Sequence, residues 1–306
     1  MRRVLLTGGT GFLGKNLTRY LTEKGYSVFS IGSSFWDLRD QNLCNNLIEQ
    51  VSPDVIVHAA GSVGGIGANQ KNPGKFMYEN LIMGANMIEA SRRRKVDKFV
   101  LLGTVCAYPK HTPVPFTEDE LWNGYPEETN APYGIAKKAL MKLLQTYEEQ
   151  YGINGSCLIP VNMYGPDDHF NLTSSHVIPA LILKFYNAIK NGEQQVTLWG
   201  TGSVSREFLY ALDCCEAIDL AIQKDVGAEP INIGTGREIK ISDLATEIAE
   251  QMGFEGQIKY DPSKPDGQPR RCLDVARAKD RLGFEASTDL QTGLKQTIEW
   301  FLKEQK

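Results

Sequence analysis

The chain has 306 residues, with 33 Lys plus Arg against 37 Asp plus Glu for a formal charge of −4, and 42% hydrophobic residues. These values suit a globular protein of one large or two smaller domains, and they exclude disordered and fibrous classes. Mild acidity argues against a nucleic-acid partner, and no stretch nears the ~18 apolar residues that cross a bilayer.

Taken in chain order, short aliphatic runs bounded by Gly, Pro or polar residues read as buried strands at 3–7, 27–31, 55–59, 98–103 and 155–160. Helical patterns lie between them: Leu13, Leu17, Tyr20 and Leu21 share one face, as do Ile82, Ala85 and Ile88. The basic run Arg92-Arg93-Arg94-Lys95 fits a helix C-terminus, where cations meet the dipole. This alternation predicts an α/β fold, a doubly wound parallel sheet with helices on both faces. After about residue 165 the rhythm changes, with helices expected over 177–191, 241–252 and 290–304 and a strand over 196–199. Segments 105–132 and 261–272, rich in Pro and polar residues, are expected to be long functional loops.

The first strand runs into Thr7-Gly8-Gly9-Thr10-Gly11-Phe12-Leu13-Gly14 and then a helix. Gly8 permits a tight turn, Gly11 lets backbone approach a phosphate, and Gly14 lets helix pack on strand. The helix N-terminus adds unpaired N–H groups and partial positive charge. Strand before and helix after make this a dinucleotide fingerprint, and the fold a Rossmann-type one. Residues 1–165 then form the cofactor domain, with about 203–235 returning to it, and 166–306 mainly a smaller α/β substrate region. The second strand ends Ser30-Ile31-Gly32-Ser33-Ser34, without the carboxylate that binds a ribose 2′-hydroxyl, which tilts the choice to NADP(H), with NAD(H) the alternative. Arg39 is the nearest cation, and Asp37 is expected to face the adenine.

Hydride transfer to a carbonyl needs a proton donor, and a Tyr with a Lys one helical turn on can serve. Four Tyr-x-x-x-Lys pairs occur: Tyr20/Lys24, Tyr133/Lys137, Tyr186/Lys190 and Tyr260/Lys264. Only Tyr133/Lys137 opens a helix leading into the fifth strand, so it is the candidate pair. Thr104 follows the fourth strand and either hydrogen-bonds the same carbonyl or caps a loop. By itself Cys106 reads first as a small buried hydrophobe, and His176 as the residue that opens a helix. The short apolar run Val4-Leu5-Leu6 makes no signal peptide, and six cysteines without a CxxC pair suit reduced thiols in the cytoplasm.

Together these residues resemble the extended short-chain dehydrogenase/reductases and, within them, the GDP-L-fucose synthases, which epimerise and reduce GDP-4-keto-6-deoxy-D-mannose. The matching stretches are His58-Ala59-Ala60 with Val63-Gly64-Gly65-Ile66, Gly103–Pro109, Pro132-Tyr133 with Ala136-Lys137, and Asn162-Met163-Tyr164-Gly165-Pro166. Ser175-His176-Val177-Ile178-Pro179-Ala180, Trp199-Gly200-Thr201-Gly202, Arg206-Glu207-Phe208, Lys264-Pro265-Asp266-Gly267, Pro269-Arg270 and Leu273-Asp274 extend the match along nearly the whole chain. The resemblance implies Thr104, Tyr133 and Lys137 as the reductase triad, and Cys106 with His176 as the epimerisation pair. For the cofactor it implies Gly8, Thr10, Gly11, Phe12, Leu13, Gly14, Ser33, Asp37, Ala59, Ala60, Gly61, Pro160, Asn162 and Met163, with Tyr133, Lys137 and His176. For a GDP-sugar it implies Asn162, Val177, Lys184, Trp199, Arg206 and Arg270, although Trp199 reads equally as core. A homodimer is expected, and neither a metal nor a membrane. Thr10 and the Ser33-Ser34 segment depart from the family, standing where basic residues face the 2′-phosphate. The alternative substrate is a related GDP-4-keto-sugar, of the colitose or heptose type, with or without epimerisation. A dinucleotide-binding sensor without turnover would not need Tyr133/Lys137.

Overall fold

The computed structural model describes residues 1–172, 175–264 and 266–305, leaving aside the side chain of Ile66. Its first half runs β1 (Arg3–Thr7), α1 (Phe12–Glu23), β2 (Ser27–Ile31), α2 (Gln41–Val51), β3 (Val55–His58), α3 (Ile66–Lys71), α4 (Pro73–Arg94), β4 (Lys98–Leu102), α5 (Ala131–Tyr151) and β5 (Gly155–Pro160). There follow β6 (Asn162–Tyr164), α6 (Val177–Asn191), β7 (Gln195–Trp199), β8 (Ser205–Tyr210), α7 (Ala211–Gln223) and β9 (Pro230–Ile233). The chain closes with β10 (Glu238–Lys240), α8 (Ile241–Met252), β11 (Gln257–Asp261) and α9 (Leu290–Glu304).

Six strands pair in parallel in the order β2-β1-β3-β4-β5-β9. Every residue of β3, β4, β5 and β9 is buried, as expected of strands covered on both faces. Thr7 pairs with Ile31 on one side and His58 on the other, and Pro160 with Ile233. The segments starting at Gly8, Gly32, Ala59, Gly103 and Val161 therefore leave the sheet along one edge. The chain reverses across β1, with β2 on one side and β3 on the other, so the ligand crevice of this architecture opens beside Gly8.

Two cores support that edge. The first fills both faces of the large sheet and takes in Cys214 and Ile218 of α7 together with Leu273, Ala278, Leu282 and Phe284. The second joins Ile182 and Phe185 of α6, Leu198 of β7, Leu244 and Ile248 of α8, and Leu294 and Phe301 of α9. Two small sheets, β10-β8-β6 and β11-β7, belong to this half.

Helix α4 buries Ile88 of the expected face completely, with Ala85 packed against the core and Ile82 half-buried, and its buried side also takes in Phe76, Asn80, Gly84, Met87 and Ser91. At Gly84 the helix lies directly on α5, where a Cβ would stand 2.2 Å from Leu140. The basic run ends the same helix. Arg92 and Arg93 bind Glu89, Arg94 binds Glu49, and Lys95 caps the helix with φ 51°. Among the described residues no helix is long and apolar enough to cross a membrane.

Candidate active site

The turn after β1 is built around missing side chains. Gly8 has φ +75°, and a Cβ there would lie 2.8 Å from the Ala60 nitrogen. One on Gly14 would lie 2.1 Å from the Gly8 oxygen, so α1 can rest on the turn only without it. A Cβ on Gly11 would stand 3.3 Å from the Gly8 oxygen, tighter than an ordinary contact. Gly11 caps α1 without a side-chain bond, which leaves the first-turn N–H groups, Phe12 and Leu13 among them, with no intrahelical acceptor. An open cradle before a helix dipole fits a dinucleotide pyrophosphate.

Thr7 Oγ1 accepts from the Ala60 N–H (3.2 Å) and pairs with His58 Nδ1 (3.0 Å), fixing the start of the 59–61 segment. Asn80 closes its other end by bonding both backbone groups of Ser62. Thr10 packs over Gly32, and both Thr10 and Ser33 are exposed. Asp37 is gripped at both oxygens by Arg39, which holds its carboxyl down at about 2. Arg39 also donates to Glu79 (3.0 Å), so the nearest cation is already shared by two carboxylates.

At the next strand end, Thr104 Oγ1 accepts from the Cys106 N–H (3.2 Å) and caps the short turn over Val105–Ala107. Of six free cysteines, five are buried and Cys106 alone is half-exposed. Desolvation lifts the buried thiols, Cys44, Cys157, Cys214 and Cys272 to about 12. Tyr133, in the first turn of α5, lies beside this turn. Burial raises its phenol, the Cys106 thiol adds to the rise, and hydrogen bonding with Thr104 opposes it. Tyr133 is thereby held as the neutral phenol, the form that can give a proton. Lys137 is 3% exposed, donates to the Leu102 oxygen (3.1 Å) and is pushed down to about 8 by burial. A Cβ on Gly61 would stand 3.9 Å from its Nζ, which brings the cofactor segment and the Tyr-Lys helix together.

The competing Tyr/Lys pairs are engaged elsewhere. Lys24 and Lys190 each lie over the ring of their own tyrosine, at 5.4 and 5.8 Å, and Lys264 lies 5.9 Å above Trp199.

His176 stands at the start of α6 as its N-cap, but its side chain makes no capping bond. Desolvation by the surrounding protein, then His169, keeps the ring below the ordinary imidazole value. Val177 follows it, partly exposed. Pro160 ends β5, and Asn162 and Met163 open β6 half-buried, with Asn162 Nδ2 donating to the Glu207 oxygen (3.0 Å). Lys184 donates to the Thr197 oxygen (3.0 Å), and Trp199 is 65% exposed, which removes the core reading of that ring. Arg206 donates to the oxygens of Ser205 (2.7 Å) and Asp266 (3.1 Å), and burial lowers it to about 10. Arg270 is paired with Glu238, its Nε 3.0 Å from Oε1.

Sequence reasoning missed three polar groups around these residues. Asn232 in β9 accepts from the Tyr108 hydroxyl (2.7 Å) and donates to the oxygens of Phe116 and Asp274, which ties down the chain that follows the Cys106 turn. Asp168 is buried, its Oδ2 without a partner among the described residues, and desolvation lifts it to about 7. Glu207 is fully buried and bonded on several sides. Asn232 and Glu207 carry no spacing signal, because their partners come from distant parts of the chain, whereas Asp168 Oδ1 accepts from the N–H of its neighbour His169 (2.7 Å).

Residues 4–234 match the model of the NAD dependent epimerase/dehydratase family. A GDP-L-fucose synthase of Sinorhizobium fredii is 40% identical over 301 residues, covering 98% of this chain and 96% of that one. A GDP-L-colitose synthase of Yersinia pseudotuberculosis is 36% identical over 304 residues, with 99% and 98% covered. Among solved structures, a GDP-L-fucose synthetase from Naegleria fowleri bound to NADP superposes with a TM-score of 0.89 at 28% identity, over 99% of this chain and 95% of that one. The chain belongs to the NAD dependent epimerase/dehydratase family, on the branch that holds the GDP-L-fucose synthases.

Proposed function

We propose that this enzyme converts GDP-4-keto-6-deoxy-D-mannose to GDP-L-fucose, by epimerisation at carbons 3 and 5 followed by reduction at carbon 4. The reading is carried by one cluster: a half-exposed thiol, a threonine hydroxyl and a neutral phenol at the end of β4, backed by Lys137. NADPH supplies the hydride when bound over the Gly8–Gly14 turn; the cofactor follows the NADP-bound relative, since Ser33 and Thr10 bring no cation to a 2′-phosphate.

In this mechanism Thr104 and Tyr133 hydrogen-bond the 4-ketone, which acidifies the protons on carbons 3 and 5. Cys106 removes each proton from one face, and Thr104 with Tyr133 stabilises the enediolate that forms. His176 returns a proton from the opposite face, inverting the centre. Once both centres are inverted, Tyr133 gives its proton to the carbonyl oxygen as carbon 4 is reduced. Lys184 and Arg206 are the cations for the diphosphate, and Asn162, Val177, Trp199 and Arg270 shape the sugar and nucleotide pocket. Residues 1–165, with parts of 203–235, carry the cofactor, and 166–306 mainly the sugar nucleotide.

A second copy of the chain covers Met77 and Tyr78, both exposed on α4, to give a homodimer; sedimentation showing only monomer at micromolar concentration would remove this. The reduced thiols suit the cytoplasm. The test of the activity is incubation with GDP-4-keto-6-deoxy-D-mannose in D₂O with NADPH. GDP-L-fucose carrying deuterium at carbons 3 and 5 is expected. Turnover without exchange would leave a reductase only, and preference for a 3-deoxy or heptose analogue would move the substrate to that sugar.

A further inference from the structure

We infer that Glu207 is a positioning residue: its carboxylate clamps the 266–273 strap to the rest of the nucleotide-side wall and so sets where the diphosphate is gripped. This rests on the function proposed above for the identity of the sugar nucleotide, but not for the clamp itself. After β9 the chain reads Gly234-Thr235-Gly236, and Gly236 takes φ +67°. Successive N–H groups in such a turn form a concavity that binds an anion. Its occupant is internal. Glu207 Oε1 accepts from the N–H groups of Thr235 (2.5 Å) and Gly236 (2.8 Å), and a Cβ on Gly234 would stand 2.2 Å from the same oxygen.

The other oxygen works on the strap. Glu207 Oε2 accepts from the Leu273 N–H at 2.6 Å. The strap also runs beside β8 through Ser205 N–H to the Pro269 oxygen (3.0 Å) and Glu207 N–H to the Arg271 oxygen (3.1 Å). The Glu207 carbonyl accepts from Asn162 of β6. One residue thus joins β6, the β9–β10 turn and the strap, and its chain neighbour Arg206 supports the strap at Asp266. Opposite Glu207 in the antiparallel pair stands Glu238, which holds Arg270 of the same strap. Full burial makes these bonds strong: a carboxylate stripped of water and surrounded by backbone donors cannot give one up without leaving charge unpaired.

Two variants separate the clamp from mere stability. Glu207→Gln keeps one oxygen for the turn, but its amide then meets the Leu273 N–H donor to donor. Glu207→Asp keeps the charge and is a methylene too short to serve both sides. Both should weaken GDP binding, read by calorimetry, and raise KM for the keto-sugar about ten- to a hundredfold. NADPH affinity should stay within about twofold, and the Leu273 amide should lose its protection against hydrogen exchange. Unchanged GDP affinity in a folded variant, or an equal loss of NADPH affinity, overturns the clamp. If the wild type binds GDP with this dependence yet does not turn over the keto-sugar, the activity falls and the clamp stands. Should neither variant fold, GDP must still slow Leu273 amide exchange in the wild type about tenfold; exchange indifferent to GDP overturns the inference.

Discussion

The carbonyl oxygen of Cys106 occupies the place of a side chain on Gly134: a Cβ there would come within 2.3 Å of it. Helix α5 therefore begins directly on the turn that carries the thiol, and Tyr133 precedes the contact point by one residue. Gly134→Ala should cost about 1–3 kcal/mol of stability through overpacking. It should also depress exchange and reduction together, because the turn and the helix are pushed apart. Denaturant melts and the D₂O assay check this; a variant of normal activity would mean that the spacing of Cys106 and Tyr133 is not critical.

The sheet and its site edge were legible because each carries a local signal. Buried parallel strands are short aliphatic runs, and the 8–14 turn needs glycine at fixed offsets for steric reasons now visible at Gly8 and Gly14. The small strands β6, β8, β10 and β11 and the large sheet's edge strand β9 were not legible. They have three to six residues, and β6 follows β5 almost without a break. Helix α7 also went unread, since its buried residues from Ala211 to Ile222 run almost continuously and leave little amphipathic period. At the site, residue types could nominate Tyr133 among four pairs, but only packing shows Lys24 and Lys190 spent on their own tyrosine rings. Glu207 and Asn232 act through backbone groups 28 to 116 residues away, a relation no spacing rule encodes.

Cys106→Ser replaces the one half-exposed thiol with a far weaker acid. Deuterium incorporation at carbons 3 and 5 should disappear while slow direct reduction of the unepimerised ketone survives, read by NMR of the product. Exchange at the wild-type rate would take Cys106 out of the mechanism. Tyr133→Phe should instead lower reduction about 10²- to 10⁴-fold, the range of a lost general acid.

Cofactor choice can be pushed at the end of β2. Ser33 is exposed, and Arg39 is already bound by Asp37 and Glu79. Ser33→Arg adds a free guanidinium that can bind phosphate in two-pronged fashion. The ratio of kcat/KM for NADPH over NADH should rise about tenfold, and fall back at high salt. A ratio that does not move would place the 2′-phosphate away from residue 33.

His58 links the cofactor edge to acid stability. Burial, then the charge of Lys137, drives its imidazole down to about 3, against about 6.5 in the unfolded chain. Below pH 6.5 the unfolded chain takes up a proton that the folded one refuses, so stability present above 6.5 is lost as pH falls toward 3. Between pH 6.5 and 4.5 this amounts to about 2 kcal/mol. Urea unfolding across that window should therefore show a steep acid arm in the wild type and a shallower one in His58→Asn, whatever that variant loses at pH 7 by repacking around Thr7 and Phe99. Parallel arms would mean that His58 is not held neutral in the fold.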